Sequence, residues 1–237
     1  MLTTRQQEII KAIIKEYIRS AEPVSSKFLE KEYDFGIRGA MIRREMQRLT
    51  EQGYLFQPHT SAGRIPTAKS YRFIVDTILK DHLEKAKNTE FGVEMPALSS
   101  EEMLHLMQTL TSKIAELTSS FAISYIPFCN LSLKEGWAEI FNQPEFENKE
   151  LIKNFTEFIE ELQEYIINLE IPNEINIYIG QEHPFGKGDE FSTILTNYHF
   201  SKNEKSLIAI VGPMRMDYEE NIKILESLPS LILELIN

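Results

Sequence analysis

The amino-acid sequence predicts an α+β protein made of two modules. In the first 87 residues, apolar residues recur at helical spacing around one short hairpin pattern, whereas beyond residue 98 helical stretches alternate with strand-like runs. The charge divides in the same way. Residues 1–80 contain 14 Lys and Arg against 9 Asp and Glu, and the remainder contains 11 against 27, so that the whole chain has a net charge of -11. A basic module joined to an acidic one indicates two different partners.

Two helices are expected at the start of the chain. Thr4 and Gln7 stand at capping-box spacing and predict the beginning of the first helix, which ends near Ser20, shortly before a proline. A second helix is expected over residues 25–33, with one of its two leading serines as the N-cap.

A third helix is expected over residues 39–52, and Gly53 ends it. Its buried face is formed by three residues at helical spacing, Ile42, Met46 and Leu49. Residues 54–57 and 64–66 have the character of two short strands, and the segment 58–63 between them is rich in turn formers. Three helices followed by such a hairpin have the order of a winged helix-turn-helix module.

A helix over residues 67–87 and a linker lead to the second module. Residues 88–98 have no period and contain one Gly and one Pro, so the linker is placed there. The predicted domains are therefore a winged helix-turn-helix DNA-binding domain (1–87) and an α+β domain (99–237). In the second domain, helices are expected at 100–119, 149–168 and 218–236, and strands at 121–126, 174–179, 191–199 and 206–212.

The composition is that of a soluble globular protein. Hydrophobic residues make up 42% of the chain and charged residues 26%, which is enough apolar material for a sizeable core. Cys129 is the only cysteine, so an internal disulfide is excluded. No run of 18 apolar residues and no signal-peptide core occurs, and we expect a cytoplasmic protein without a membrane partner.

The arginines of the first module are concentrated where a recognition helix would meet DNA. Helical spacing places Arg43 and Arg44 on the exposed side of the third helix, near the end that enters the major groove. Met41 faces outward there and can touch a thymine methyl group. Residues of the 59–64 segment would meet the DNA backbone or the minor groove. The alternative is a merely solvated helix face, but the helix-turn-helix order favours DNA contact.

The predicted DNA-contact set extends over the second helix, the third helix, the hairpin and the helix that follows. It consists of Ser25, Lys27, Arg38, Gly39, Met41, Arg43, Arg44, His59, Thr60, Ser61, Arg64 and Lys69.

Several segments resemble the heat-inducible transcription repressor (HrcA) family. The most specific is Gln57-Pro58-His59-Thr60-Ser61-Ala62-Gly63-Arg64-Ile65-Pro66-Thr67. Other matches in the first module are Glu22-Pro23-Val24-Ser25-Ser26-Lys27, Ile42-Arg43, Gly53-Tyr54-Leu55, Tyr71-Arg72-Phe73 and Val75-Asp76. Matches in the second are Asn142-Gln143-Pro144-Glu145-Phe146, Ile179-Gly180 and Val211-Gly212-Pro213-Met214-Arg215-Met216-Asp217-Tyr218.

The resemblance implies a bacterial repressor of chaperone operons. Such a protein binds as a homodimer to an inverted repeat called CIRCE, its second domain is GAF-like, and the chaperonin GroEL keeps it active. During heat shock, unfolded clients occupy the chaperonin, and the repressor loses activity.

This chain departs from the family at the recognition helix. Members usually begin that helix with small hydroxyl residues and carry Asn-Asp after its arginine, whereas this sequence reads Arg38-Gly39-Ala40-Met41 and Arg44-Glu45. Arg38 cannot cap the helix as Ser would, a loss of about 1 kcal/mol. We therefore expect a base preference that differs from that of the family operator.

The middle of the chain is also short. In the family, a long stretch with an inserted dimerising domain precedes the segment that matches 142–146, and only residues 121–141 occupy it here. The second domain is expected to lack the insert, with some early strands missing or rearranged. Dimerisation is then expected through the helix at 100–119, whose apolar residues cover more than one face, through the surface of the GAF-like domain, or through both. The alternative is that this helix packs only onto its own sheet.

The remaining candidate sites carry little weight, and neither an enzyme activity nor a cofactor is predicted. Gly186-Lys187-Gly188 lacks the spacing of a phosphate-binding loop, and the histidines show no paired metal-ligand spacing. Arg215 is expected to pair with an acidic neighbour and Asp217 to cap the last helix, although a ligand contact remains the alternative. Two other functions stay open, a repressor that answers to a small ligand and a winged module used for protein contact.

Overall fold

A computed structural model describes residues 2–85, 99–170, 175–186, 188–201 and 204–236. The chain forms two compact units, Met1–Lys85 and Ala86–Asn237. The predicted linker, 88–98, lies outside the described residues. Within the described ranges, no helix is long and apolar enough to cross a membrane.

The first unit contains four helices and a two-stranded sheet. Its elements are α1 (Thr4–Ser20), α2 (Ser26–Glu32), α3 (Gly39–Glu51), β1 (Leu55–Phe56), β2 (Ile65–Pro66) and α4 (Ala68–Lys85). Residues fully buried at the centre come from all four helices: Ile9, Ile13, Leu29, Ile42, Leu49 and Val75. The spacing of these residues along the chain explains why each segment is helical, since each helix buries one apolar face.

The cap of α1 lies one residue earlier than predicted. Thr3, not Thr4, is the N-cap, and its hydroxyl accepts a hydrogen bond from the Gln6 backbone N–H while the Gln6 side chain accepts one from Thr3 N–H. The sequence contains two overlapping Thr-x-x-Gln pairs. A tertiary contact distinguishes them, because the Gln6 amide also donates to the Glu45 carboxylate at 3.0 Å.

The hairpin is joined to the segment between α1 and α2. β1 and β2 pair antiparallel, and Val24 and Arg64 exchange two backbone hydrogen bonds of 2.9 and 2.8 Å. A Cβ atom on Gly63 would lie 2.4 Å from the Val24 carbonyl oxygen, so only glycine permits this approach. The hairpin is thereby fixed against the helices rather than projecting freely.

The second unit is built on a five-stranded antiparallel sheet with strand order β4-β3-β7-β6-β5. Its helices are α5 (Ser100–Thr118), α6 (Trp137–Phe141), α7 (Lys149–Asn168), α8 (Tyr218–Glu226) and α9 (Leu228–Ile236). Its strands are β3 (Phe121–Ile126), β4 (Leu131–Glu135), β5 (Asn176–Ile179), β6 (Phe191–Ser201) and β7 (Glu204–Pro213). This arrangement confirms the predicted α+β class.

Helices cover the sheet because alternate side chains of each strand point to opposite faces. One face packs against α7 in an apolar core that includes Phe121, Phe155, Phe158, Phe191 and Val211. α5 contacts β3, β4 and β7, and α8 and α9 pack against α5.

Two features of the second unit differ from the prediction. The single helix expected at 218–236 is wrong, because the helix breaks at Ser227 into α8 and α9. Pro229, in the first turn of α9, has no N–H with which to continue the hydrogen bonds of α8. β4 and α6 were not predicted, since residues 131–141 are too short to show a clear period.

Candidate nucleic-acid interface

A groove of about 590 Å³ lies in the first unit, between the start of α2, the exposed side of α3 and the loop that joins β1 to β2. Seven residues of the predicted DNA-contact set line it: Ser25, Lys27, Arg43, Arg44, Thr60, Ser61 and Arg64. The structure thus brings together residues that are up to 39 positions apart in the sequence. We call this feature the basic groove.

α3 presents its arginines to the basic groove because its opposite side is held inside the unit. Ile42 and Leu49 are fully buried, whereas Arg43 and Arg44 are exposed. Glu45, which departs from the family pattern, is also buried. Its carboxylate accepts hydrogen bonds from the Gln6 amide at 3.0 Å and from Arg48 at 2.6 Å. Glu45 therefore connects α3 to α1 and does not face the groove.

The start of α3 has no side-chain cap. Arg38 occupies the N-cap position with extended backbone angles, φ -82° and ψ 160°, and its side chain makes no capping hydrogen bond. The prediction that Arg38 cannot cap this helix is confirmed. At Gly39, which follows, the Glu30 carboxylate lies close to the backbone, and an added Cβ would require that side chain to move.

The loop of the hairpin is held by its own side chains. The Gln57 amide donates hydrogen bonds of 3.0 Å to the backbone carbonyls of Thr60 and Ala62. His59, Thr60 and Ser61 lie around these two hydrogen bonds and remain exposed. The loop therefore offers hydroxyl groups at a fixed position beside α3.

Arg64 lies at the base of the loop and is buried, with 8% of its surface exposed. Its guanidinium donates to the Thr50 hydroxyl and to the Gln47 side-chain oxygen, both at 3.0 Å. Burial, together with the neighbouring charge of Arg43, lowers the pKa of Arg64. Arg64 thus connects the hairpin to α3 while one side of it still borders the basic groove.

The other predicted contact residues lie outside the lining of the basic groove. Lys69 donates to the Gln52 carbonyl at 2.8 Å, and its ammonium stands 4.5 Å from the centre of the Tyr54 ring. It therefore supports the end of α3. The remaining residues of this group are Arg38, Gly39, Met41 and His59.

Sequence reasoning missed several residues that line the basic groove, above all Gln47 and Gln57. Gln47 stands four residues after Arg43, so helical spacing alone could have placed it on the same face. The role of Gln57 has no signal in the sequence, because its partners are backbone carbonyls of a loop.

In the second unit, Arg215 has a structural role. Arg215 forms an ion pair with Glu145 and donates to the Gln143 side chain at 2.8 Å. Asp217 caps α8 by accepting from the Glu220 backbone N–H at 3.1 Å. Both expectations are confirmed, and the ligand alternative gains no support from these contacts.

The matching family is the one described as "HrcA protein C terminal domain", and the match covers residues 71–222. This range is more than half of the chain. The chain belongs to the HrcA family. Its predicted class, a heat-inducible transcription repressor, is confirmed at this level, since the relatives below bear that name.

Curated HrcA relatives align over nearly the whole chain. The Heat-inducible transcription repressor HrcA of Brevibacillus brevis is 28% identical over 330 positions, with 96% of each chain covered. The protein of the same name from Carboxydothermus hydrogenoformans is 25% identical over 338 positions and covers 100% of this chain and 98% of its own. Since this chain has 237 residues, at least 93 of the 330 positions in the first alignment have no counterpart here. The HrcA relative is therefore longer than this chain, and the location of the difference in the middle of the chain stays a prediction.

One solved structure shares the fold of this HrcA chain. It is described as the crystal structure of a hypothetical protein at 2.2 Å resolution, and it has a TM-score of 0.78 at 19% sequence identity. The likeness covers 99% of this chain and 97% of the other.

Proposed function

We propose that the first unit is a winged helix-turn-helix domain that binds operator DNA through the basic groove. α2 and α3 are the helix-turn-helix pair, α3 is the recognition helix, and the β1–β2 hairpin is the wing. The backbone bridge between Val24 and Arg64 supports this assignment, because it adds a third extended segment to the small sheet behind the wing.

The observation that carries the proposal is the lining of the basic groove. Four cationic side chains, Lys27, Arg43, Arg44 and Arg64, border one concave surface together with hydroxyl groups. Cations that replace the counterions of DNA supply most of the affinity for its backbone. The excess of acidic residues in the rest of the chain repels DNA and leaves this surface as the place where it docks.

The groove residues fall into two groups. Arg44 projects from the first half of α3, where it reaches base edges in the major groove, and a bidentate arginine–guanine pair contributes about 1–3 kcal/mol of discrimination. Ser25, Lys27, Thr60 and Ser61 lie on the flanks and contact phosphate oxygens or the minor groove. His59 at the loop and Met41 on α3 extend this surface.

The whole protein acts as a homodimer on an inverted repeat of the CIRCE type and represses chaperone operons. Two recognition helices about 34 Å apart fit successive turns of the major groove, which a single protomer cannot do. The second unit is a GAF-like domain that takes part in dimerisation, and the chaperonin GroEL is the partner that modulates repression in the family.

Mobility shift of a labelled inverted repeat and of a scrambled duplex, across a salt series, tests the proposal. We expect repeat-specific binding of two protomers, with a steep loss of affinity as salt rises. Arg44→Gln should reduce the preference for the repeat over the scrambled duplex. Arg5→Gln serves as a matched control, because Arg5 is exposed on α1 and does not line the groove. Failure to bind either duplex would contradict a DNA-binding function, and equal binding of both would contradict recognition of the repeat.

A further inference from the structure

Arg64 is a buried cation without a carboxylate partner in the described part of the chain. Both acceptors of its guanidinium, the Thr50 hydroxyl and the Gln47 amide oxygen, are neutral. Neutral acceptors satisfy hydrogen bonds but do not cancel a charge. Because an arginine side chain does not lose its proton in proteins, the positive charge stays in place.

The surroundings of Arg64 add further positive charge and, among the described residues that line the basic groove, no negative charge. Arg43 lies close enough that its charge disfavours that of Arg64. Both side chains border the basic groove, and within the described residues no aspartate or glutamate lines that groove. A buried charge is costly unless it is paired, and these two neighbouring cations have no carboxylate partner among the residues that the structure describes.

We propose that Arg43 and Arg64 form a binding site for one particular phosphate group of the DNA backbone, between α3 and the wing. The inference rests on the proposed DNA-binding function and names the ligand of one part of the same surface. A phosphate carries the missing negative charge and several acceptor oxygens, and guanidinium groups match its geometry. Hydroxyl groups of Ser25, Thr60 and Ser61 border the same groove and supply further donors.

Arg64 is fitted for this task by how it is held. Its bonds to α3 and the paired backbone of Val24 fix the guanidinium before DNA arrives. Prior ordering lowers the entropy lost on binding. The same bonds place the phosphate at a fixed height relative to α3, which sets how deeply Arg44 reaches into the major groove.

The experiment replaces single phosphates of the operator duplex with uncharged methylphosphonates, one position at a time. For the wild-type protein, we expect one position in each half-site to lower affinity about tenfold or more, as for a charge-assisted hydrogen bond. Arg43→Gln should bind the unmodified duplex more weakly and lose less further affinity at that position, because only Arg64 remains to contact the phosphate. Arg5→Gln should behave as the wild type. Equal sensitivity of Arg43→Gln and wild type at every position overturns the proposal.

A second variant tests Arg64 without removing a buried side chain. Gln47→Glu keeps the shape of the side chain and gives Arg64 an internal carboxylate. We expect it to remain folded and to lose most of the methylphosphonate sensitivity. Gln52→Glu makes the same change of charge at the end of α3, at an exposed position that does not line the groove. It should retain the sensitivity to methylphosphonates. If both variants retain it, Arg64 does not bind the phosphate.

Thermal unfolding in inorganic phosphate or pyrophosphate, at constant ionic strength against chloride, separates this inference from the proposed function. We expect these anions to raise the Tm of the wild type and of Arg5→Gln, and to raise that of Arg43→Gln less. If the protein binds no duplex but shows this pattern, the phosphate site stands and the repressor proposal fails. If all three proteins respond equally or not at all, the phosphate site fails even where operator binding is intact.

Discussion

Buried carboxylates hold the helices of the first unit together. Glu45 accepts from Gln6 on α1 and from Arg48 on α3, and Glu16 accepts from Tyr33 at 2.7 Å and from Arg19 at 2.5 Å. In each case, one residue satisfies donors from two parts of the chain. Removing such an acceptor leaves a buried donor unpaired, which costs more than the hydrogen bond contributes.

We expect Glu45→Ala to lower the free energy of unfolding by about 1–3 kcal/mol, because the buried Gln6 amide loses its partner. Chemical unfolding followed by circular dichroism measures the change. Glu8→Ala, at an exposed position of α1, should have little effect. Equal stability of the two variants would show that Glu45 does not hold α3 against α1.

His183 makes the stability of the second unit depend on pH. Its two ring nitrogens lie 2.7 Å from the Gly180 carbonyl and 3.0 Å from the Thr193 hydroxyl, and it packs among aromatic rings. Burial holds the pKa of His183 below its ordinary value of 6.5, so the folded protein favours the neutral ring. The stability that this neutral ring contributes is present above pH 6.5 and is lost as the pH falls toward the lowered pKa.

The free energy of unfolding should therefore fall between pH 7 and pH 5, and it should fall less steeply in His183→Gln. Unfolding measured at several pH values gives both slopes. His59→Gln, which removes an exposed histidine of the loop, is the control and should keep the wild-type slope. Parallel slopes for wild type and His183→Gln would exclude this histidine as the titrating group.

At the scale of elements, α3 begins without the hydroxyl cap that starts α1, α2 and α5. The extended backbone of Arg38 already has the geometry of an N-cap residue. Arg38→Ser should therefore raise the free energy of unfolding by about 1 kcal/mol relative to Arg38→Ala, which removes the same charge without adding a cap. Thermal unfolding of the two variants compares them directly. Equal Tm values would mean that the first turn of α3 already has other partners.

At the scale of the whole molecule, the predicted dimer must form without the segment that the longer relatives contain. Most of the apolar residues of α5 pack inside the second unit, whereas Leu104 and Leu117 are 41% and 43% exposed. This burial supports the alternative that α5 packs mainly on its own sheet. Dimerisation through α5 stays a prediction that now rests on the two exposed leucines.

Sedimentation equilibrium tests this prediction. We expect a homodimer, and we expect Leu117→Glu to weaken association at least tenfold, because it places a charge in an apolar contact. Thr156→Glu adds the same charge at an exposed position of α7 and should associate normally. A protein that is monomeric at concentrations where it still binds operator would rule out the dimer.

Helices and strands that carry local signals can be predicted from the amino-acid sequence alone. α7, from Lys149 to Asn168, follows from the spacing of its apolar residues and from its Asn148 cap, and β3 agrees with the predicted range 121–126. Such signals involve residues a few positions apart, so they can be read without knowing the fold. The family resemblance can likewise be recognised from the sequence, because its longest matching segment is continuous.

Which side chains share a surface depends on tertiary contacts between residues that are far apart in the sequence. Arg64 was predicted to meet the DNA backbone or the minor groove, and the structure adds that the Val24 bridge and its bonds to α3 bury it at the edge of the groove. Lys69 turns to the end of α3, and Arg215 finds its carboxylate 70 residues away at Glu145. The physical reason is the same in each case: a long charged side chain goes to the acceptor that folding brings within reach, and no local pattern specifies that partner.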